Sequence, residues 1–339
     1  MRKLPVLILV VCIFASSCSK TKDDISPPEP LLFIPEGFPV PEFPEDNAFT
    51  EARWNLGKAL FFDQRFSQDQ SISCASCHLP AFAFSDTTGF SLGSDQASGV
   101  RNSPSLANVA YHPYFTREGG VPSLEMQVLV PIQEHNEFNS NILEIAERLS
   151  SDDELQMLSF AAYDREIDYY VIPRALATFE RSLISGESKY DLYLNWKNES
   201  LFSEVEKQGM DLFFSEKTNC FSCHSGFNFT SYAFENNGLY EQYADPGRYR
   251  LTNEPEDLAL FKVPSLRNAE VTAPYMHDGS IKTLHEVIEH YDSGGKTHPN
   301  KNNLIRPLNL TAQEKDALEA FIKTLTDDKF IKNEKFRNN

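Results

Sequence analysis

Long apolar runs are almost missing from this 339-residue chain. Only Leu4 to Ala15 qualifies, and it is too short for a comfortable transmembrane helix, which argues against a membrane-spanning bundle. Basic charge is also scarce: 31 Lys and Arg stand against 49 Asp and Glu, a formal charge of −18. Such a surface argues against a nucleic-acid partner and suits solubility or a basic protein partner. Alternating strand patterns are few, which argues against an all-β fold. Tryptophan is confined to Trp54 and Trp196. Cysteine falls in the N-terminal segment and in two pairs further on, with none left over for a wider disulfide framework.

Those two pairs are the most informative feature. Cys74-Ala-Ser-Cys77-His78 and Cys220-Phe-Ser-Cys223-His224 repeat Cys-x-x-Cys-His, the attachment signal of a c-type haem. Two thioethers anchor the haem vinyl groups, and the adjacent imidazole is the proximal iron ligand. A four-cysteine zinc site is the alternative, but it needs no His after either pair. With 8 His in 339 residues, chance supplies both with odds of roughly 1 in 1,800 on composition alone. The separation of the pairs also far exceeds zinc-ribbon spacing. Two covalently bound c-type haems are therefore expected, and Phe, at 26 residues, suits the apolar walls that they require.

The N-terminus reads as a processing segment. Arg2 and Lys3 precede the apolar run, which ends in Ala15-Ser16-Ser17-Cys18. This resembles a bacterial lipobox, making residues 1–18 a signal peptide and Cys18 the lipidated first residue, with ordinary signal cleavage as the alternative. Residues 19–46, rich in Pro and acidic groups, read as an extended tether. The expected location is the periplasm or cell surface, held to the outer membrane by a lipid anchor only. Haem attachment of this type takes place outside the cytoplasm, so both ends of the reading agree.

The remainder is an internal duplication. Gly57-x-x-Leu60-Phe61-Phe62 is echoed by Gly209-x-x-Leu212-Phe213-Phe214, and Ser103-Pro104-Ser105-Leu106-Ala-Asn108 by Val263-Pro264-Ser265-Leu266-Arg-Asn268. Pro113-Tyr114-Phe115 is echoed by Pro274-Tyr275-Met276, and Leu124-Glu125 loosely by Leu284-His285-Glu286. Apolar residues recur at helical spacing in 143–149, 171–184, 205–213, 284–291 and 318–325. The expected fold is all-α: two cytochrome c-like haem domains, residues 47–195 and 196–339, with long loops at 85–104 and 228–258 that line a site.

From about Phe38 to Leu325 the chain resembles the bacterial di-haem cytochrome c peroxidases, and within them the MauG-like members. The motifs are Leu60-Phe-Phe-Asp63, Arg101-Asn102-Ser103-Pro104, Gly119-Gly120-Val-x-x-Leu124-Glu-x-Gln127 and Pro274-Tyr275-Met276-His277-Asp278-Gly279. The resemblance implies that the N-terminal haem reacts with hydrogen peroxide and the C-terminal haem handles electrons. The place of the removable distal His of many relatives, sixteen residues after His78, holds Ser94, which implies an open site. Gln127 and Glu137 are the implied distal catalytic pair. A carboxylate beside an apolar haem face can move the peroxide proton as general acid and base, and burial would raise its pKa.

At the C-terminal haem, the place of the sixth ligand, fourteen residues after His277, holds Tyr291, with His290 and Met276 as competitors. His290 and Tyr291 project about 100° apart on a helix, so only one faces the haem. Many relatives carry Trp between the haems where this chain has Arg117, which leaves Tyr114, Phe115 or direct tunnelling as the electron route. Relatives also bind calcium between the domains, and the matching ligands are Asn102, Thr272 and Pro274. The implied reductant is a small cytochrome or copper redox protein. The alternatives are MauG-like oxidation of a protein substrate and a non-catalytic di-haem electron carrier, which would need both irons six-coordinate. Relatives are commonly homodimers, and no motif here decides for or against one.

Overall fold

The computed structural model describes residues 30–338; the signal segment, Cys18 and residues 19–29 of the tether lie outside the described residues. Helix dominates, as expected. In the first half lie α1 (Glu51–Phe61), α2 (Cys74–Cys77), α3 (Leu124–Gln127), α4 (Leu129–Gln133), α5 (Ile142–Leu149), α6 (Asp153–Tyr163) and α7 (Val171–Arg181). The second half holds α8 (Lys189–Trp196), α9 (Glu204–Phe213), α10 (Cys220–Cys223), α11 (Tyr249–Thr252), α12 (Leu284–Ser293), α13 (Ala312–Lys323) and α14 (Asp328–Ile331). The strands among the described residues are β1 (Phe234–Glu235) and β2 (Phe261–Lys262), antiparallel with Phe234 opposite Lys262. No helix among the described residues is long and apolar enough to cross a membrane.

Local chemistry starts these helices where they start. Thr50 accepts the Arg53 N–H at the head of α1. Reciprocal capping boxes open α8 (Ser188 with Asp191), α9 (Ser203 with Glu206), α12 (Thr283 with Glu286) and α13 (Thr311 with Glu314). Each satisfies two amide donors that would otherwise be orphaned. Gly294, at φ 81°, ends α12 in the left-handed conformation that glycine adopts without penalty.

The duplication is a packing device. In the first half α1 crosses α7 at Gly57, where a Cβ would lie 2.0 Å from the Ala175 carbonyl oxygen. In the second half α9 crosses α13 at Gly209, where a Cβ would lie 1.9 Å from the Ala317 oxygen. The glycine in each Gly-x-x-Leu-Phe-Phe motif therefore lets two backbones touch, and the following Leu and Phe fill the space beside the crossing. Leu60 and Phe61 are fully buried, as is Phe213; each such ring stabilises by about 1.5–3 kcal/mol on transfer from water. One core gathers α1, α6 and α7, and another gathers α9 and α13 with Phe229 and Ile288. Phe330, Ile331 and Phe336, at the end of the chain, return to the first core and pack around Phe84 and Phe179. Residues 31–46 lie along the body, with Phe38 edge-on to Phe227 at 4.7 Å and under Arg267.

One echo is corrected by the backbone. The short bridges Phe115–Val121 and Tyr275–Ile281 are equivalent, so Phe115 matches Tyr275, and the Pro-Tyr-Phe and Pro-Tyr-Met triplets stand one residue out of register. Over this stretch the offset is a constant 160 residues, against 152 at the glycine crossings and 146 at the Cys-x-x-Cys turns. It links Ser103 to Val263, Asn108 to Asn268 and the helix caps Ser123 to Thr283. Asn108 and Asn268 share a left-handed backbone, at φ 62° and 60°.

Candidate active site

Each Cys-x-x-Cys forms a single helical turn, α2 and α10, so both thiols of a pair project from one face. The following His caps the turn, its N–H donating to Cys74 O (3.0 Å) in one half and Cys220 O (2.9 Å) in the other. His78 Nδ1 donates to the Phe84 carbonyl at 2.9 Å, and His224 Nδ1 to the Phe229 carbonyl at 3.1 Å. With the proton held on Nδ1, the Nε2 lone pair is left for a metal. Burial pulls both imidazoles down, His224 to about 4, so each stays neutral as a ligand must.

The two carbonyls are not presented cheaply. Phe84 and Phe229 sit at φ 59° and 49°, a region that bulky residues avoid. Aromatic packing holds them there: Phe84 lies against Phe61, Phe179 and Phe330, and Phe229 against Tyr190, Phe213 and Phe321. The phenylalanine excess thus orients both proximal histidines. Two same-face thiols and a fixed neutral imidazole fit a haem in each half. Among the described residues no three His, Cys, Asp or Glu side chains converge as a metal cluster, so the two pairs do not form one zinc site.

On the distal side of the first half, Glu125 anchors α3. It takes two hydrogen bonds from Arg181 on α7, at 2.5 and 2.8 Å, and one from Asn47. Gln127 ends this helix with its Oε1 buried and unpartnered within the protein, an acceptor waiting for a donor. Glu137 follows α4 in a turn closed by its own N–H on Glu134 O at 3.0 Å. Its carboxylate opens onto solvent on one side, but the protein around it and the Glu134 charge push its pKa up to about 7. Its charge also reaches the Cys74 and Cys77 thiols, which places it beside the first attachment turn. Ser94 is buried, and its N–H donates to the Glu137 carbonyl at 2.7 Å. Gly93 packs so closely on this turn that a Cβ would lie 2.2 Å from Asn136 O. The loop that holds Gly93 and Ser94 thus clamps the backbone of Glu137.

In the second half Tyr291 is driven up by burial and by the nearby Cys223 and Cys220 thiols, while the Asn237 amide pulls it down. It therefore lies near the second Cys-x-x-Cys turn. His290 points elsewhere, its Nε2 donating to the Asn237 carbonyl at 3.0 Å. Met276 Sδ accepts from Asn237 Nδ2 at 3.2 Å. Asn237 touches all three candidate ligands, and sequence reasoning missed it, since nothing in the loop 228–258 marks it. Glu180 was missed too. It is buried on α7, pushed up to about 8 by burial, and its charge reaches Cys74. Its signal in the sequence was weak, since it stands beside Arg181 in a helix that also carries Arg174 and Thr178.

Counting eight residues from the equivalent caps Ser123 and Thr283 reaches Pro131 in one half and Tyr291 in the other. The same position of the same helix thus holds a phenol in the second domain and a ring with no donor atom in the first.

Between the halves, Tyr114 donates its hydroxyl to the Tyr232 carbonyl and stacks on Phe234 at 5.1 Å. Arg101 binds Asp245 through two nitrogens, at 2.6 and 2.9 Å, and Glu118 at 2.5 Å. The calcium expectation, which named Asn102, Thr272 and Pro274, meets an obstacle at Asn102. Both oxygens of Asn102 already accept from Arg117 Nη2, the carbonyl at 2.6 Å and Oδ1 at 3.3 Å.

Comparison with known proteins places this geometry. Residues 51–199 match the family model of di-haem cytochrome c peroxidase, and residues 207–326 match that of cytochrome c. The methylamine utilization protein MauG of Methylorubrum extorquens is 34% identical, with 95% of each chain covered. The cytochrome-c peroxidase IdrP1 of Pseudomonas sp. strain SCT is also 34% identical, over 94% of this chain and 91% of its own. A solved MauG-like protein associated with microbial copper homeostasis superposes with a TM-score of 0.86 at 35% identity, covering 90% of this chain and 97% of that one. Two cytochrome c-like domains, a proximal histidine in each and relatives named as peroxidases lead to one assignment: the chain is an oxidoreductase that belongs to the bacterial di-haem cytochrome c peroxidase family, among its MauG-like members.

Proposed function

We propose that this chain reduces hydrogen peroxide in front of His78, in a domain spanning residues 47–195, and receives electrons through the domain of residues 196–339. The two haems, attached at Cys74, Cys77 and His78 and at Cys220, Cys223 and His224, supply the redox chemistry when bound. The protein supplies the rest. Glu137, poised near neutral pH, takes the proton from the inner peroxide oxygen and returns it to the outer one. Gln127, with its free buried acceptor, orients the peroxide or the departing water. Ser94 and Gly93 hold the Glu137 backbone in place. Tyr291 would help His224 hold the second haem when it is bound, with Asn237 donating to its oxygen. A small cytochrome or copper redox protein is the electron donor, at a site outside the cytoplasm.

The observation that carries this reading is the exchange of Tyr291 for Pro131 on equivalent helices. It leaves a ligand in one domain and an acid/base pair in the other. A second reading, oxidation of a protein substrate, is favoured by Tyr291, because a phenolate is a hard anionic donor that disfavours ferrous iron.

Electron paramagnetic resonance of the as-isolated ferric protein, before and after one equivalent of peroxide, tests the proposal. One high-spin and one low-spin signal, both lost on peroxide addition, are expected. Two low-spin signals indifferent to peroxide would overturn it for the oxidised protein, leaving an electron carrier or a peroxidase that must first be reduced.

A further inference from the structure

The two halves meet across a seam that repeats itself. The 160-residue offset makes Asn102 equivalent to Lys262 and Arg117 equivalent to His277. The backbone uses both equivalences: Asn102 N–H donates to His277 O at 2.8 Å, and Lys262 N–H donates to Arg117 O at 2.6 Å. Each half thus reaches across to the other through the same pair of positions.

The side chains break this symmetry. Arg117 turns its guanidinium into the seam, where Nη2 binds the carbonyl and Oδ1 of Asn102. A calcium ion sits about 2.3–2.6 Å from each of 6–8 oxygens. Nη2, at 2.6 Å from Asn102 O, stands at the distance such an ion would need. The acids nearby are already engaged: Glu118 and Asp245 by Arg101, and Asp278 by the Tyr240 hydroxyl at 2.6 Å. Lys262 adds a second cation, donating to Tyr114 O at 2.8 Å. The two Asn102 oxygens are thus already taken by a cation, and the three acids of the seam are matched by Arg101, Arg117 and Lys262.

We infer that Arg117 is the built-in cation of the interdomain seam, occupying the Asn102 oxygens with its guanidinium, so that this protein joins its two haem domains without calcium. Burial draws the Arg117 pKa down to about 10, which still leaves it charged at neutral pH. The inference does not rest on the peroxidase reading, because its test needs no turnover.

The test is made on the di-haem protein purified in buffer containing calcium chloride. Metal content is measured by plasma emission, and visible spectra and thermal unfolding are compared after EGTA dialysis and after calcium is restored. Calcium well below one ion per chain, with spectra and Tm unmoved by either treatment, is expected. One tightly held ion per chain, or a spectral or Tm change that EGTA causes and calcium reverses, would overturn the inference. Arg117→Gln frees the Asn102 oxygens, and its holoprotein should bind calcium with one-to-one stoichiometry by titration calorimetry and gain several degrees in Tm when calcium is added. A folded Arg117→Gln protein as indifferent to calcium as the parent would show that Arg117 fills no cation site.

Discussion

Gly93→Ala tests whether the loop after the first attachment turn serves Glu137. The added methyl would lie 2.2 Å from Asn136 O and 2.6 Å from Glu137 O. Ordinary contact begins near 3.4 Å, so the loop and the 136–137 backbone must part by about 1 Å, a misplacement that can cost roughly 10²-fold in rate. His78 is held separately, by the Phe84 carbonyl, which is not among the atoms that the added methyl meets. The assay is stopped-flow reaction of the ferric protein with peroxide, followed in the Soret band. Gly93→Ala should lower the second-order rate constant by about 10² and leave the resting spectrum of both haems unchanged. Combined with Glu137→Gln, it should cost almost nothing further, since the group it displaces is already disabled. An unchanged rate, or an equal additional loss in the Glu137→Gln background, would refute the reasoning.

Glu137→Gln alone should lower the same rate constant by about 10²–10⁴ and abolish its pH dependence. With Glu137 near 7, the parent rate should fall about tenfold per unit below pH 7 and level off above it, and a variant that kept this limb would assign it elsewhere. The raised pKa also sets a sign for stability. Glu137 stabilises the fold fully below its ordinary 4.5 and loses that contribution as pH rises through about 7, so Glu137→Gln should flatten this part of the Tm profile. Tyr291→Phe should change the electron paramagnetic resonance signal of one haem and leave the Glu137-dependent peroxide limb intact; an unaltered spectrum would remove Tyr291 as a ligand. Gly57→Ala and Gly209→Ala should each destabilise by about 3 kcal/mol, measured by denaturant unfolding, because each puts a Cβ about 2 Å from a facing carbonyl oxygen and forces the helix pair apart; a loss under half a kcal/mol at either site would mean that the crossing is not tight.

Much of this was legible in the chain because it is local or periodic. A Cys-x-x-Cys-His turn is five residues long, helix caps span four, and the Gly-x-x-Leu-Phe-Phe crossing shows as an exact echo. The rest depended on distances that no pattern encodes. Asn237 meets Met276 and His290 only after a long loop has folded across α12. The Phe84 carbonyl is chosen by a left-handed backbone that no propensity favours. The echo at Pro113 slipped by one residue because Pro-Tyr recurs in both halves by chance, whereas the bridges to Val121 and Ile281 fix the true register. Arg117 was visible as a departure from the relatives, but its bond to Asn102 was not.

The register matters because it turns two similar domains into a controlled comparison. Ser123 and Thr283 open equivalent helices, each accepting an amide from the third residue on. Up to that point the halves have been built alike: a glycine crossing, a thiol pair, a histidine held by a phenylalanine carbonyl. Beyond it they diverge in what faces the haem side. In the second half α12 runs unbroken from Leu284 to Ser293 and carries Tyr291 on its last turns. In the first, Pro131 cannot supply an amide hydrogen or a ligand atom, the helical segment stops at Gln133, and the chain folds back so that Phe138 N–H closes on Pro131 O at 3.1 Å. That fold-back is what brings Glu137 round. A ligand was not merely removed from the first domain. The proline that stands in its place also lends its carbonyl to the Phe138 N–H, closing the turn that carries Glu137.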